Sequence, residues 1–374
     1  MSAATCNSSA ARSSPRFASA AGIRLLAWSQ TSRIGAGAPA FRISKGGGSP
    51  GPSRGRERAG GRDEGLMDAN IYKTKPGAGA GKADAGGLAL ALLLAGAACI
   101  AFAPIFVRLS EAGPTSTAFW RCALAVPVLY VWLRRQAPAE EPALSRPDRS
   151  YLALAGVFFA CDLGVWHLSI QYTSVANATL LANVAPLFVT LGGFLLFRER
   201  FTRLFLLGLA LALAGAGVLM GESARISPAS FGGDLLGVLT AVFYAGYILT
   251  VGQLRARLST RTVMFWTTLV SAILLWPAAL ASGEQIIPSS AAGWVTLLAL
   301  ALVCQALGQG LIAYALAHLP AAFSSVSLLL QPVLAALLAW ALFAEALGAV
   351  QGLGVLAVLA GIALARRGSR APAG

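Results

Sequence analysis

One carboxylate stands in the middle of an apolar run: Asp162, in "FACDLGVWHLSIQY". In hydrocarbon such a group is costly unless it pairs, takes up a proton or meets water. Two readings stay open, a ligand or proton site and a carboxyl bonded to a neighbouring helix. Trp166 joins it as a candidate lining side chain, and His167 falls near the end of the run, where an interfacial histidine is ordinary. Further along, Thr179, Asn183, Pro186 and Thr190 recur at helical spacing and form one stripe. Pro186 lacks a backbone donor and leaves the carbonyl of Ala182 without its usual partner; Pro332 does the same for Leu328. Asn and Thr also bond between helices in lipid, so packing is the other reading of that stripe.

More polar side chains follow in the second half of the chain. Gln305 and Gln309 lie one helical turn apart, followed by Tyr314; Ser324, Ser327 and Gln331 repeat the spacing, and Tyr244 and Tyr247 share a face. Polar but mostly uncharged groups beside aromatics suit a small amphipathic solute better than an ion filter built of carboxylate rings. Arg121, after Trp120, has three readings: holding an anionic substrate group, pairing with Asp162, or snorkelling to the interface. Arg121, Asp162, Pro186 and Pro332 are also the candidates for coupling or gating.

Catalytic chemistry finds no footing. There is no HExxH zinc pair, no GxSG nucleophile turn and no Walker motif, so the expectation is a non-enzyme with no catalytic residues, no metal and no cofactor. Cys99, Cys122, Cys161 and Cys304 fall inside apolar runs, Cys6 falls outside them, and no pair has redox or metal spacing.

The elements that must position these groups follow from composition. The chain is 56% hydrophobic and 12% charged, with a mean hydropathy of +0.68, far more apolar surface than a water-soluble core can hide. From Leu88 onward, apolar runs long enough to cross a hydrocarbon core of about 30 Å follow one another. Ten are predicted: 88–107, 115–133, 150–170, 175–197, 203–220, 233–252, 262–281, 292–315, 321–343 and 348–365. "LALALLLAGAACIAFAPIF" is apolar on all sides, without the period-two alternation of a barrel strand, and in lipid this requires helix. The fold class is an all-α membrane protein, with the lipid bilayer as its first partner.

Residues 1–86 differ in kind. They are rich in Gly, Ser, Pro and Arg, carry 13 Lys and Arg against 5 acids, and are expected to be a disordered basic tail. The tail supplies +8 of the formal +14, so the basicity does not argue for nucleic acid. Two readings remain for its start: a transit-peptide composition, since residues 1–44 hold no acid, or a reading frame extended upstream of a true start at Met67.

Sliding the chain against itself by 146 residues reveals a repeat without a gap. Phe119-Trp120 meets Phe265-Trp266, Pro186 meets Pro332, Glu199 meets Glu345, Gly208 meets Gly354 and Gly215 meets Gly361. Two five-helix repeats follow, 87–221 and 222–368. Five is odd, so the second repeat enters the membrane from the opposite face: the repeats are inverted. The hinge "LFRERFTR" keeps arginines that its counterpart "LFAEALGA" lacks. With the tail inside, most other loop arginines fall on the same side, and only Arg108 and Arg225 outside. Both termini are therefore expected in the cytoplasm, with the chain in the cell's inner membrane. Inverted repeats rock about a central site, which points to transport of a small molecule; a receptor or scaffold retaining the fold is the alternative. Gly208, Ala212 and Gly215, mirrored by Gly354 and Gly361, form small-residue seams for close helix packing, with a homodimer face as the second reading.

Three stretches also resemble a known family: "APIFVRLSEAGPTSTAFWRCALAVP", "DLGVWHLSIQYTSVANATLLANVAPLFVTLGGFLLFRER" and "CQALGQGLIAYALAHLPAAFSSVSLLLQPVLAALLAWALFAE". They are similar to EamA-domain members of the drug/metabolite transporter superfamily, over about Leu88 to Arg367. The resemblance implies two repeats of five helices, cytoplasmic termini and secondary export of small metabolites or drugs, with family-typical positions at Arg121, Pro186, Glu199, Pro332 and Glu345. It carries no substrate name.

Overall fold

Ten helices long and apolar enough to span a bilayer make up the computed structural model, which describes residues 81–135, 143–221, 230–343 and 348–370. The first repeat holds α1 (Gly86–Leu109), α2 (Pro114–Arg134), α3 (Arg146–Tyr172), α4 (Asn177–Phe197) and α5 (Arg203–Met220). The second holds α6 (Phe231–Arg255), α7 (Thr260–Ala281), α8 (Ala291–Ala315), α9 (Ala321–Leu338) and α10 (Ala349–Arg370). No strand occurs among the described residues. The expectations placed on the tail, on Met67, on Arg225 and on Glu345 fall outside them.

The inversion is visible in how α5 packs against α10. A Cβ added at Gly208 would meet Ala365, at Gly215 Val358, at Gly361 Ala212 and at Gly354 Leu219. As the number rises on one helix it falls on the other, so these equivalent helices run antiparallel, as two halves entering from opposite faces must. Contacts also exchange under the 146-residue offset: Gly208 lies against Gly361 and Gly215 against Gly354, each pair the image of the other. The small-residue seam that admits a dimer reading is thus consumed inside one chain. Ala212, Val358 and Ala365 on it are fully buried, because only near-absent side chains let two backbones approach this closely.

Several helices are interrupted where polar groups are needed. α1 breaks at Phe102, just before Pro104, and α4 breaks at Asn183 and Val184, just before Pro186. In α9 the break at Leu328 and Leu329 precedes Pro332 at the repeat-equivalent place. The carbonyl of Leu328, expected to be left open by Pro332, instead accepts from the Gln331 amide at 2.9 Å. The helix tightens to an i→i+3 bond there rather than offering backbone to solvent. In α8 the chain widens into a π-helix over Leu300–Gly308, a departure common at functional sites.

At the end of the bundle where α1 meets α2 and α7 meets α8, each repeat caps helices of the other. Glu284, between α7 and α8, accepts from the Thr115 and Ser116 amides at the start of α2, at 2.8 and 3.3 Å. Glu111, between α1 and α2, accepts from the Ser289 and Ser290 amides that begin α8, both at 2.9 Å. A carboxylate at a helix N-terminus satisfies orphan amides and suits the positive end of the helix dipole. Asp234 of α6 accepts from Thr173 Oγ1 at 2.7 Å and Asn177 Nδ2 at 3.1 Å, and Trp120 Nε1 donates to the Ile286 carbonyl at 2.7 Å. The opposite end carries an Arg257–Asp148 ion pair at 3.4 Å, with Arg257 largely in solvent.

Candidate functional site

The helix breaks converge on a cavity of about 130 Å³ between the repeats, walled by α1, α2, α3, α4, α6, α8 and α9. Of the residues singled out from the sequence, Arg121, Asp162, Trp166, Thr179, Asn183, Tyr244, Gln309, Gln331 and Pro332 line it. Ile100, Ala103 and Pro104 of α1 and Thr240 of α6 line it too and were not anticipated. Thr240 precedes Tyr244 by one turn, and Pro104 interrupts α1 as Pro186 interrupts α4; both signals were present in the sequence.

Arg121 does not snorkel. It is 4% exposed, its Nε donates to Gln305 Oε1 at 3.1 Å, and its guanidinium stands 5.8 Å from the Phe159 ring centroid. Gln305 is held in turn by donating to Thr268 Oγ1 at 3.1 Å. One of five guanidinium donors is thereby used, and Arg121 faces the cavity from a fixed base. Asp162 shares the cavity, yet no ion pair within 4.0 Å joins it to Arg121 and no protein group donates to it among the described residues. A cation and a carboxylate thus stand in one hollow without neutralising each other by contact.

Neutral polar atoms complete the wall. Thr179 Oγ1, Gln309 Oε1 and Gln331 Nε2 are buried without a hydrogen-bond partner. The Tyr244 hydroxyl stands beside both glutamine side chains. Burying such groups unpaired costs about 1–3 kcal/mol each, so their clustering on one cavity suits ligand recognition better than packing. Asn183 Nδ2 donates to the Thr179 carbonyl at 2.8 Å, and the residue lines the cavity.

Four candidates lie off this wall. Gln305 is one turn from Gln309 in an α-helix, but the π turns take more residues per revolution, and it points to Arg121 and Thr268 instead. Tyr247 stacks on Phe159, ring centroids 4.7 Å apart, in the apolar core. Tyr314 packs beside His318 at 4.9 Å. Pro186 lies beyond the α4 break, which splits the predicted stripe; its carbonyl accepts from Thr190 Oγ1 at 2.8 Å. His167 is fully buried rather than interfacial, with Nδ1 at 2.7 Å from the Leu163 carbonyl.

A profile of the EamA-like transporter family matches this chain twice, over residues 87–221 and again over 231–367. The chain belongs to the EamA-like transporter family. Among curated relatives, the pseudopaline exporter CntI of Pseudomonas aeruginosa strain UCBPP-PA14 is 31% identical over 285 residues, 74% of this chain and 95% of that one. An uncharacterized transporter of Archaeoglobus fulgidus is 26% identical over 266 residues, 70% of this chain and 91% of its own. A solved crystal structure matches with a TM-score of 0.64 at 19% identity, covering 76% of this chain and 98% of the other, which shows a shared fold. This EamA protein is therefore a multi-pass membrane transporter of the drug/metabolite type, with a small molecule as its cargo.

Proposed function

We propose that this transporter exports a small zwitterionic or amphoteric organic solute across the cytoplasmic membrane by alternating access, with both termini in the cytoplasm. The observation that carries this reading is that buried Arg121 and Asp162 line one cavity together with unbonded amide and hydroxyl groups. Arg121 receives an anionic group of the solute, Asp162 a cationic one, and Thr179, Gln309 and Gln331 the neutral polar atoms. Trp166 and Tyr244 cover its apolar part.

Release from this site requires the repeats to part at one end and close at the other. The groups that must separate at one end are Glu111 from Ser289 and Ser290, Glu284 from Thr115 and Ser116, and Asp234 from Thr173 and Asn177. At the other end the Arg257–Asp148 pair must part. Outward direction draws on the relative named as an exporter, and the sidedness on the arginine-rich loops. Untargeted metabolomics on cells lacking and overproducing the chain is the test. A zwitterionic compound should accumulate inside the former and outside the latter, and Arg121→Gln or Asp162→Asn at equal expression should abolish the difference. A compound that lacks either charge, or export that survives both substitutions, would overturn the reading.

A further inference from the structure

A second hollow, unconnected with the transport site, lies on the flank of the bundle. It is a groove of about 460 Å³ between α1, α9 and α10. Leu90 and Leu94 of α1 form one side, Phe323 and Leu330 of α9 the floor, and Leu359, Ile362 and Ala363 of α10 the other side. Beyond these apolar groups come Arg366, Arg367 and Arg370. On α10 the positions 359, 362, 363, 366 and 370 fall on one helical stripe, while Val358, Gly361 and Ala365 face α5. The groove therefore opens away from the inter-repeat seam.

We infer that this groove is a binding site for an anionic phospholipid, one acyl chain lying along α10 and the headgroup phosphate held by the three arginines. Its length supports this occupant. Leu359 to Arg370 is eleven residue steps, and at about 1.5 Å rise per step the stripe runs roughly 16 Å, of which roughly 10 Å lies below Arg366 along the hydrocarbon and the rest carries the arginines. Charge supports it too. No acidic residue lines the groove, and none of the three arginines takes part in an ion pair among the described residues. At the end of α10, Thr202 Oγ1 donates to the Gly368 carbonyl at 2.9 Å. That bond and the contact of Gly368 with Phe205 pin the end of α10, so the guanidinium groups project from a fixed helix end. A basic cluster next to an apolar slot matches the two-part chemistry of a lipid, whereas a free anion needs no slot.

The test is native mass spectrometry of the full chain with phosphatidylglycerol and phosphatidylcholine of identical acyl chains. Wild type should retain phosphatidylglycerol roughly tenfold or more over phosphatidylcholine, given the attraction of each basic residue near an anionic headgroup. R366Q/R367Q/R370Q should erase that preference, and Ala363→Trp, which fills the slot and keeps every charge, should reduce retention of both lipids; melting curves confirm that each variant folds. Glycerophosphate and inorganic phosphate at millimolar concentration should displace neither. Equal retention of the two lipids by wild type, a preference that survives the triple substitution, or displacement by phosphate alone would overturn the proposal. So would a groove occupied by a second copy, seen as a dimer that Ala363→Trp converts to monomer.

Discussion

Replacing Gly215 by alanine tests the packing that closes the two repeats on each other. A Cβ at Gly215 would stand 2.6 Å from the Val358 nitrogen, 2.8 Å from the Gly354 carbonyl oxygen and 2.9 Å from Ala357 Cβ. Ordinary contact begins near 3.4 Å, so α5 and α10 must separate by about 0.8 Å, and two of the three obstructing atoms are backbone that cannot rotate aside. Overpacking of this kind costs about 1–3 kcal/mol, partly offset by the better helix propensity of alanine, roughly 1 kcal/mol. Gly217 is the internal control. It lies on the same helix with nothing within 4 Å of its would-be Cβ, so Gly217→Ala gains the propensity without the clash. Thermal unfolding in lipid nanodiscs should place Gly215→Ala several degrees below wild type and Gly217→Ala at or above it, at roughly 2–4 °C per kcal/mol. If Gly215→Ala melts with or above Gly217→Ala, the antiparallel seam is not what joins the halves.

Gln305→Leu should leave Arg121 without its fixed partner. A hydrogen bond to a charged group contributes about 1.5–3 kcal/mol, or roughly ten- to a hundredfold in apparent affinity for the exported solute; transport kinetics should show the loss in KM, and an unchanged KM would mean Arg121 needs no such support. Glu111 is held below its usual value near 4.5, first by the Ser290 hydroxyl and then by the Ser289 hydroxyl and the Ser290 amide. Its contribution is therefore present above pH 4.5 and is lost as pH falls through the lowered folded-state value. Amide exchange at Ser289 and Ser290 should stay slow relative to Glu111→Gln at pH 4.5 and converge only in stronger acid; convergence above 4.5 would refute it. Glu199 is shifted the other way, raised by burial beside Gly193. Stability linked to it is full below pH 4.5 and falls as pH rises through the raised value, so Glu199→Gln should melt above wild type at neutral pH, and a lower melting point would contradict that reading.

The helices and the repeat were legible because lipid permits so few solutions: an apolar run of sufficient length must be a helix, and one constant offset joined Phe119-Trp120 to Phe265-Trp266. Most of the cavity wall was legible for the same reason, since Asp162 or Gln309 at membrane depth needs a polar place to face. What sequence spacing could not supply was local rotation. The break before Pro186 turned the second half of the α4 stripe into packing, and the π turns of α8 swung Gln305 out of line with Gln309. For Arg121, distance from the end of its helix could not choose among the three readings, because its burial depends on Gln305 and Phe159, partners contributed by other helices.

The most direct test is the accessibility of the cavity from each side of the membrane. Asn183→Cys, in a chain whose native cysteines are replaced, is exposed in right-side-out and inside-out vesicles to a membrane-impermeant thiol reagent. Alternating access through the shared cavity predicts labelling from both sides, slowed in each case by the exported solute. Labelling confined to one side under every condition, or from neither, would contradict it.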